Sequence, residues 1–208
     1  MARYLGPRLR IVRRFGDLPG LTAKFPRKKA PPGQHGPNQK QQKKSSLISD
    51  YKIRLFEKQK LRYNYGLSER QLQRYVREAR QKKGSTGFFL MQLLEMRVDT
   101  VIFRLGLAST IPAARQFVNH GHILINNKKI NIPSFQCKPE DIITIKNKKA
   151  SKMLVEKSLI NPRFSSLPSH LEFNSKSLQA EIKDLVNKKD LTFKVNELLI
   201  VEYYSRIG

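Results

Sequence analysis

Four arginines, Arg70, Arg74, Arg77 and Arg80, recur at three- and four-residue spacing, with Leu72, Tyr75, Val76 and Ala79 set between them. At about 100° per residue, the arginines fall within an arc of roughly 120° and the apolar residues on the opposite arc. A helix with this pattern packs one face and presents a row of guanidinium forks on the other. Such forks match phosphate oxygens bidentately and stack on exposed bases. An ordinary solvated face mixes both signs, and only Glu69 and Glu78 interrupt this one. The row therefore reads as a face for RNA or DNA. Other chemistry finds little support. The sequence holds no nucleophile–base pair, no carboxylates at a defined spacing and no nucleotide fingerprint. Gly84-Ser85-Thr86-Gly87 lacks the Lys-Ser/Thr that a phosphate-cradling loop needs. His120 and His122 alone are too few to hold a metal. Cys137 is the single cysteine, which excludes an internal disulfide framework and a cysteine-rich zinc site.

The charge balance points the same way. The 208 residues carry 41 Lys+Arg against 16 Asp+Glu, a formal net charge of +25. A compact chain with that charge repels itself, so a polyanion is the expected partner. Residues 1–83 hold 23 Lys+Arg and 5 Asp+Glu, and the remainder hold 18 and 11. This asymmetry places the main binding surface in the N-terminal part. A hydrophobic fraction of 39% suffices for a core. No apolar run approaches the ~18 residues of a membrane span, and no basic helix has an apolar face broad enough to lie on a membrane. The opening Met1-Ala2-Arg3-Tyr4-Leu5-Gly6-Pro7 lacks the apolar stretch of a secretory signal. It is Arg-rich like a transit peptide, but its Gly and Pro sit at turn positions, so it reads as mature protein.

The elements that must position these residues follow from spacing and punctuation. Residues 1–46 are rich in Pro and Gly and lose apolar periodicity after Phe15. They read as an extended basic arm laid along phosphates, with Arg8, Arg10, Arg13, Arg14, Lys24, Arg27, Lys28 and Lys29 as its cations. Ser49 or Asp50 caps a helix to about Tyr63, with Ile53, Phe56 and Leu61 on its inner side and Lys58 and Arg62 among its basic residues. Ser68 caps the arginine-bearing helix, which reaches about Lys83. Phe88–Arg97 and Asp99–Leu105 are apolar at helical spacing. Ser109-Thr110 caps a further helix, with Pro112 in its first turn, where proline is tolerated. That helix buries Phe117, Val118 and Ala113 or Ala114, and exposes Arg115. The period then changes to alternation: a strand at Ile123–Ile125, a turn at Asn126-Asn127, a strand through Ile130 and Ile132, and a third at Ile142–Ile145. Residues 146–190 read as a meandering connector with a short helix at 178–186. The closing Leu198-Leu199-Ile200-Val201 packs back on the helical part.

Several segments taken together resemble a known family. Arg97-Val98-Asp99, Phe103-Arg104-Leu105-Gly106, Ala114-Arg115-Gln116-Phe117-Val118-Asn119-His120-Gly121-His122-Ile123 and Ile125-Asn126-Asn127 are similar to the RNA-binding module named after ribosomal protein S four. Met1-Ala2-Arg3-Tyr4-Leu5-Gly6-Pro7, Pro32-Gly33-Gln34-His35-Gly36, Tyr65-Gly66-Leu67-Ser68-Glu69-Arg70-Gln71-Leu72 and Val195-Asn196-Glu197-Leu198 extend the resemblance to the whole S-four family. Leu18-Pro19-Gly20-Leu21 and the Tyr203-Tyr204-Ser205-Arg206 ending are most like its plastid branch.

The resemblance implies an α+β fold. A basic extended arm (1–46) precedes a discontinuous all-helical domain (47–88, completed by 187–208). An inserted module (89–160), two helices packed on a small antiparallel sheet, is followed by a connector (161–186). It implies a non-enzymatic structural constituent of the small ribosomal subunit, a primary binder of its RNA that nucleates assembly of the 5′ domain. Ribosomal protein S five is the implied neighbour, close to the path by which messenger RNA enters, with a role in translational accuracy. Arg104, Thr110, Arg115, Gln116, Asn119, His120, Asn126 and Lys128 are assigned by the resemblance to the RNA-facing edge of the module. Arg3, His35, Lys43, Lys44, Lys82 and Lys83 complete the expected RNA-binding set, with the residues of the arm and helices named above. No cofactor and no metal are expected, because the arm lacks the cysteine cluster of some bacterial members. Asn127 stands where the family usually has Gly, and Asn tolerates the positive φ such a turn needs. The expected location is the plastid ribosome, with the bacterial cytoplasm as the alternative. The same module accompanies catalytic domains in pseudouridine synthases and a tRNA synthetase, but no such domain fits the remaining chain. The rival reading is a non-ribosomal architectural protein that binds RNA or DNA.

Overall fold

The computed structural model describes residues 4–28, 30–34, 36, 49–160, 167–175 and 177–206. It divides into two compact units, residues 1–87 with 193–208, and residues 88–192.

The first unit is helical. Helix α1 (Arg8–Phe15) starts after Pro7 and buries Ile11, Val12 and Phe15. Helix α2 (Asp50–Asn64) is capped by Ser49, whose side chain accepts from the Lys52 amide. Helix α3 (Glu69–Gln81) opens with a capping box, in which Ser68 and Gln71 exchange side-chain and backbone hydrogen bonds. It buries Leu72, Tyr75, Val76 and Ala79, the four residues expected opposite the arginines.

Two expectations fail in this unit. The N-terminal segment is not wholly an extended arm. Ile11, Val12 and Phe15 form the buried stripe of α1, Leu18 and Leu21 are buried beyond its end, and the buried Asn64 carboxamide accepts from the Gly20 amide at 2.9 Å. Its described part therefore folds onto α2, with ring contacts from Phe15 to Phe56 and Tyr63. The inner face of α2 is also not the expected one. Ile53 and Phe56 are exposed (41% and 38%), whereas Arg54, Lys58, Leu61 and Asn64 are buried.

The second unit begins within helix α4 (Thr86–Glu95) and continues through α5 (Val98–Arg104) and α6 (Ile111–Asn119). Thr110 caps α6 by accepting from the Ala113 amide at 3.2 Å. Five antiparallel strands follow in the spatial order β2-β1-β3-β5-β4: β1 (Ile123–Ile125), β2 (Lys128–Lys129), β3 (Ile142–Ile145), β4 (Leu171–Asn174) and β5 (Gln179–Ile182). The β1–β2 turn places Asn126 and Asn127 at φ 49° and 63°, the conformation expected of a two-residue hairpin. Strand β2 is shorter than expected and stops before Ile130, and Ile132 is exposed.

The stretch read as a connector is largely built in. Helix α7 (Lys149–Ile160) precedes β4, and β5 pairs with β3 through Ile142–Glu181, Ile143–Ala180 and Thr144–Gln179. Where a short helix was expected, Ala180 and Ile182 are buried at period two, so the sheet face sets the conformation. Helix α8 (Glu197–Ser205) returns to the first unit, where it packs on α2 and α3 through Ile200, Tyr203 and Tyr204. Among the described residues, no helix is long and apolar enough to cross a membrane.

Candidate nucleic-acid interface

In the helical unit the arginine row is held by a half-buried anchor. Glu69, the first residue of α3, accepts from Lys58 Nζ at 2.9 and 3.0 Å and from the Tyr204 hydroxyl at 2.7 Å, and Arg62 stands 3.8 Å away. Burial opposes the charge on Glu69, but the Tyr204 and Lys58 hydrogen bonds and the charges of Lys58 and Arg62 hold its carboxyl below the ordinary range. Burial, reinforced by that carboxylate, pushes the Tyr204 hydroxyl well up. The Lys58 ammonium also sits 4.7 Å from the centroid of the Tyr203 ring. Helices α2, α3 and α8 are thereby locked about one charged contact, which fixes the rotation of α3.

With its apolar face against the core, α3 leaves Arg70, Arg74, Arg77 and Arg80 exposed, and Lys82 and Lys83 follow them at the surface. Glu69 is the acid nearest the start of this row, and the anchor occupies it. On α1, Arg8, Arg10 and Arg14 are exposed, whereas Arg13 is half-buried and donates to the carbonyls of Ala30 (2.8 Å) and Pro31 (3.2 Å). Arg62 is half-buried over the Tyr63 ring.

In the second unit Gln116, Asn119 and His120 are exposed along the end of α6, and Asn126 and Lys128 at the hairpin. The Asn126 carboxamide is engaged on both sides: it donates to Asp141 at 2.9 Å and accepts from the Ile142 amide at 3.0 Å. His122 lies beside this edge, stacked on Phe117 and hydrogen-bonded through Nδ1 to Ser151 Oγ at 2.9 Å. Burial, with the charges of His120, Lys148 and Lys146, pushes the His122 imidazole below its ordinary value.

Four of the residues expected to contact RNA are buried and have partners within the fold. Lys58 is buried in the anchor just described. Arg104 is buried and paired with Glu95, and it also donates to Thr192. Arg115 is buried because its Nε donates to Asp99 at 2.7 Å, so it is not the exposed residue of α6. Thr110 is buried, with its hydroxyl spent on the helix cap. In each case an acid or a free amide within the fold already takes the group that was assigned to RNA. Arg3, His35, Lys43 and Lys44 lie outside the described residues.

Sequence reasoning also missed cations. Lys129 lies across Gly121, where an added Cβ would come within 2.3 Å of its Cε. The Lys146 amide bonds to the His122 carbonyl at 2.8 Å, which draws the Lys146–Lys149 run toward the same histidine. The run is visible in the sequence, but its location depends on the β1–β3 pairing, which joins Ile123 to Ile145.

Two cationic surfaces, one in each unit and each backed by a packed apolar face, mark the class of the chain as a polyanion-binding protein. Comparison with known proteins gives the family. Residues 3–95 match the model of the ribosomal protein S4/S9 N-terminal domain, and residues 96–143 match the S4 domain. The chain is 60% identical over 207 residues to small ribosomal subunit protein uS4c of Cyanophora paradoxa, covering 99% of this chain and 100% of that one. It is 57% identical to uS4 of Thermosynechococcus vestitus and 56% identical to uS4 of Nostoc punctiforme, each over 206 residues and 99% of both chains. The chain belongs to the uS4 family of small-subunit ribosomal proteins, a structural and non-enzymatic family.

Proposed function

We propose that this chain is built into the small ribosomal subunit by binding its RNA directly, through the arginine row of α3 and the exposed cations of α1, with the α6–hairpin edge of the second unit as a further contact. The observation that carries the reading is the row itself: four exposed guanidinium groups on a helix whose rotation is set by the Lys58–Glu69–Tyr204 anchor. Rigidly presented cations read the shape and phosphate path of folded RNA better than a mobile basic tail does. The family resemblance extends the proposal to early binding at the 5′ domain, with ribosomal protein S five and the path of incoming messenger RNA nearby. The plastid is the proposed compartment, supported by the similarity to uS4c and by the Tyr203-Tyr204-Ser205-Arg206 ending.

The test is a salt titration of binding to the 5′ domain of small-subunit ribosomal RNA, with duplex DNA and a scrambled RNA of equal length alongside. Selective binding that survives at physiological salt is the expected result. Arg74→Glu should weaken it and reduce the slope of log affinity against log salt by about 1. Equal binding to all three polymers, collapsing together with salt, would leave only the non-specific attraction of a +25 chain.

A further inference from the structure

The sheet of the second unit ends on an open edge at β4, which pairs with β5 alone through Leu171–Ile182, Glu172–Glu181, Phe173–Ala180 and Asn174–Gln179. Bonded and non-bonded pairs alternate along an antiparallel ladder. The Lys183 amide donates to the His170 carbonyl at 3.0 Å, so the next bonded pair is Glu172–Glu181. The backbone N–H and C=O of Phe173 therefore point away from β5, and they have no hydrogen-bond partner among the described residues. Natural sheet edges are blunted by proline, lysine or a bulge. Strand β4 reads Leu-Glu-Phe-Asn with an unbroken register to β5, so it carries none of these. Side chains give this edge its sign. Ile142, Glu181 and Glu172 form one cross-strand row, and all three are exposed. Glu172 and Glu181 stand directly opposite each other, where like charges repel. Lys183 pairs with Glu172, whereas Glu181 has no ion-pair partner among the described residues. On the same face the far edge of the sheet carries Lys129, in the row of Leu124, Thr144 and Gln179. The solvent face thus runs from cationic at β2 to acidic at β4.

We propose that β4 takes an extended, lysine- and arginine-rich segment of another protein as a sixth strand. The free N–H and C=O of Phe173 supply main-chain hydrogen bonds to it, as in other cases of strand addition. Cations at its solvent-facing positions neighbour Glu172 directly, with Glu181 one strand further in. Charge complementarity decides the occupant. The phosphates of RNA meet these carboxylates unfavourably, and RNA has no peptide groups with which to continue the ladder. A cationic strand relieves the repulsion between Glu172 and Glu181 and satisfies the backbone edge at once. The arginine row belongs to the other unit, so this surface adds a protein partner to a chain otherwise read as binding RNA.

The test uses the full chain and a fluorescein-labelled peptide of alternating lysine and valine, with binding read by anisotropy. An alternating glutamate–valine peptide controls for charge. A lysine–valine peptide methylated at alternate backbone nitrogens controls for strand pairing, because it keeps the charge and loses the donors. The lysine–valine peptide should bind in spite of the +25 charge of the chain, and it should slow hydrogen exchange of the Phe173 amide. Glu172→Gln combined with Glu181→Gln removes two exposed ion pairs and should weaken the peptide by roughly 2- to 30-fold. These exposed, conservative changes leave the buried residues of β4 and β5 in place. No binding, or equal binding by the doubly substituted chain, overturns the proposal. Equal binding of the methylated peptide, or tighter binding of the glutamate–valine peptide, overturns it too, since charge alone then governs. In reconstituted small-subunit particles, a photoreactive side chain in place of Gln179 should crosslink to a lysine- and arginine-rich protein segment. A crosslink to RNA, or none at all, overturns the assignment of the partner. Loss of RNA selectivity in the salt titration would leave the peptide result standing, so the two readings fail separately.

Discussion

Replacing Asp99 by asparagine should open the second unit while leaving the first intact. Asp99 is fully buried, and its carboxylate accepts from Arg97 Nε (3.0 Å), Arg97 Nη2 (2.9 Å) and Arg115 Nε (2.7 Å). Arg97 is also fully buried, and Arg115 nearly so. One anion therefore balances two cations that have given up water. The Asp99→Asn substitution keeps the volume but removes the charge, and breaking a buried pair in this way costs about 3–5 kcal/mol. The whole stability of a domain is about 5–15 kcal/mol.

The sequence provides a separate probe for each unit. All seven tyrosines (4, 51, 63, 65, 75, 203 and 204) lie in the first unit, there is no tryptophan, and Cys137, the single cysteine, is buried in the second. Burial pushes the Cys137 thiol well up, so it reacts only when the unit opens. If reclosing outpaces labelling, the loss should raise the rate of Cys137 modification by roughly 160- to 4,700-fold, at 1.36 kcal/mol per decade. The urea midpoint from tyrosine fluorescence should stay where it is. An Asp99→Asn chain whose Cys137 is modified at the wild-type rate would refute the claim that this carboxylate holds the unit together.

Tyr204→Phe deletes a 2.7 Å hydrogen bond to a charged partner and leaves Glu69 with Lys58 and Arg62, so the first unit should lose about 1.5–3 kcal/mol, read as a lower tyrosine-fluorescence midpoint. An unchanged midpoint would mean that the anchor does not need the hydroxyl. The second unit should lose stability as pH falls from 7.5 to 5.5. Burial holds His122 and His170 below the ordinary histidine value, although Asp190 pulls His170 the other way. The unfolded chain therefore takes up protons near pH 6.5 that the folded one refuses. A urea midpoint by circular dichroism that rises on acidification would reverse this sign. Asn127→Val puts a β-branched residue at φ 63° and should cost about 1–2 kcal/mol, seen as faster Cys137 labelling; wild-type labelling would show that the turn tolerates it.

Helix α3 is legible in the sequence because two periodicities coincide in it. Its apolar residues and its arginines take opposite arcs, and Ser68 with Gln71 marks the start. Helix α2 is misleading because its buried stripe is Arg54, Lys58, Leu61 and Asn64. Charged residues on an inner face become intelligible only when their partners are known, and Glu202 and Glu69 stand far along the chain or on another helix. The same applies to Arg104 and Arg115: a basic residue near an RNA-binding motif looks like a phosphate contact until Glu95 or Asp99 is found against it. Strands β4 and β5 escape detection because four-residue strands with one or two buried side chains carry almost no periodic signal. Their identity depends on the β3 edge that receives them.

The contact between Tyr204 and Glu69 spans 135 residues of chain. During synthesis at about 5–20 residues per second, α3 waits roughly 7–27 s for the segment that completes its anchor. Throughout that interval the arginines have been made but their helix lacks the Tyr204 contact, and the whole second unit is translated in between. A chain released early therefore carries the cations without the finished frame that aims them. The arginine row and the contact that completes its frame are therefore joined only after the intervening unit has been made.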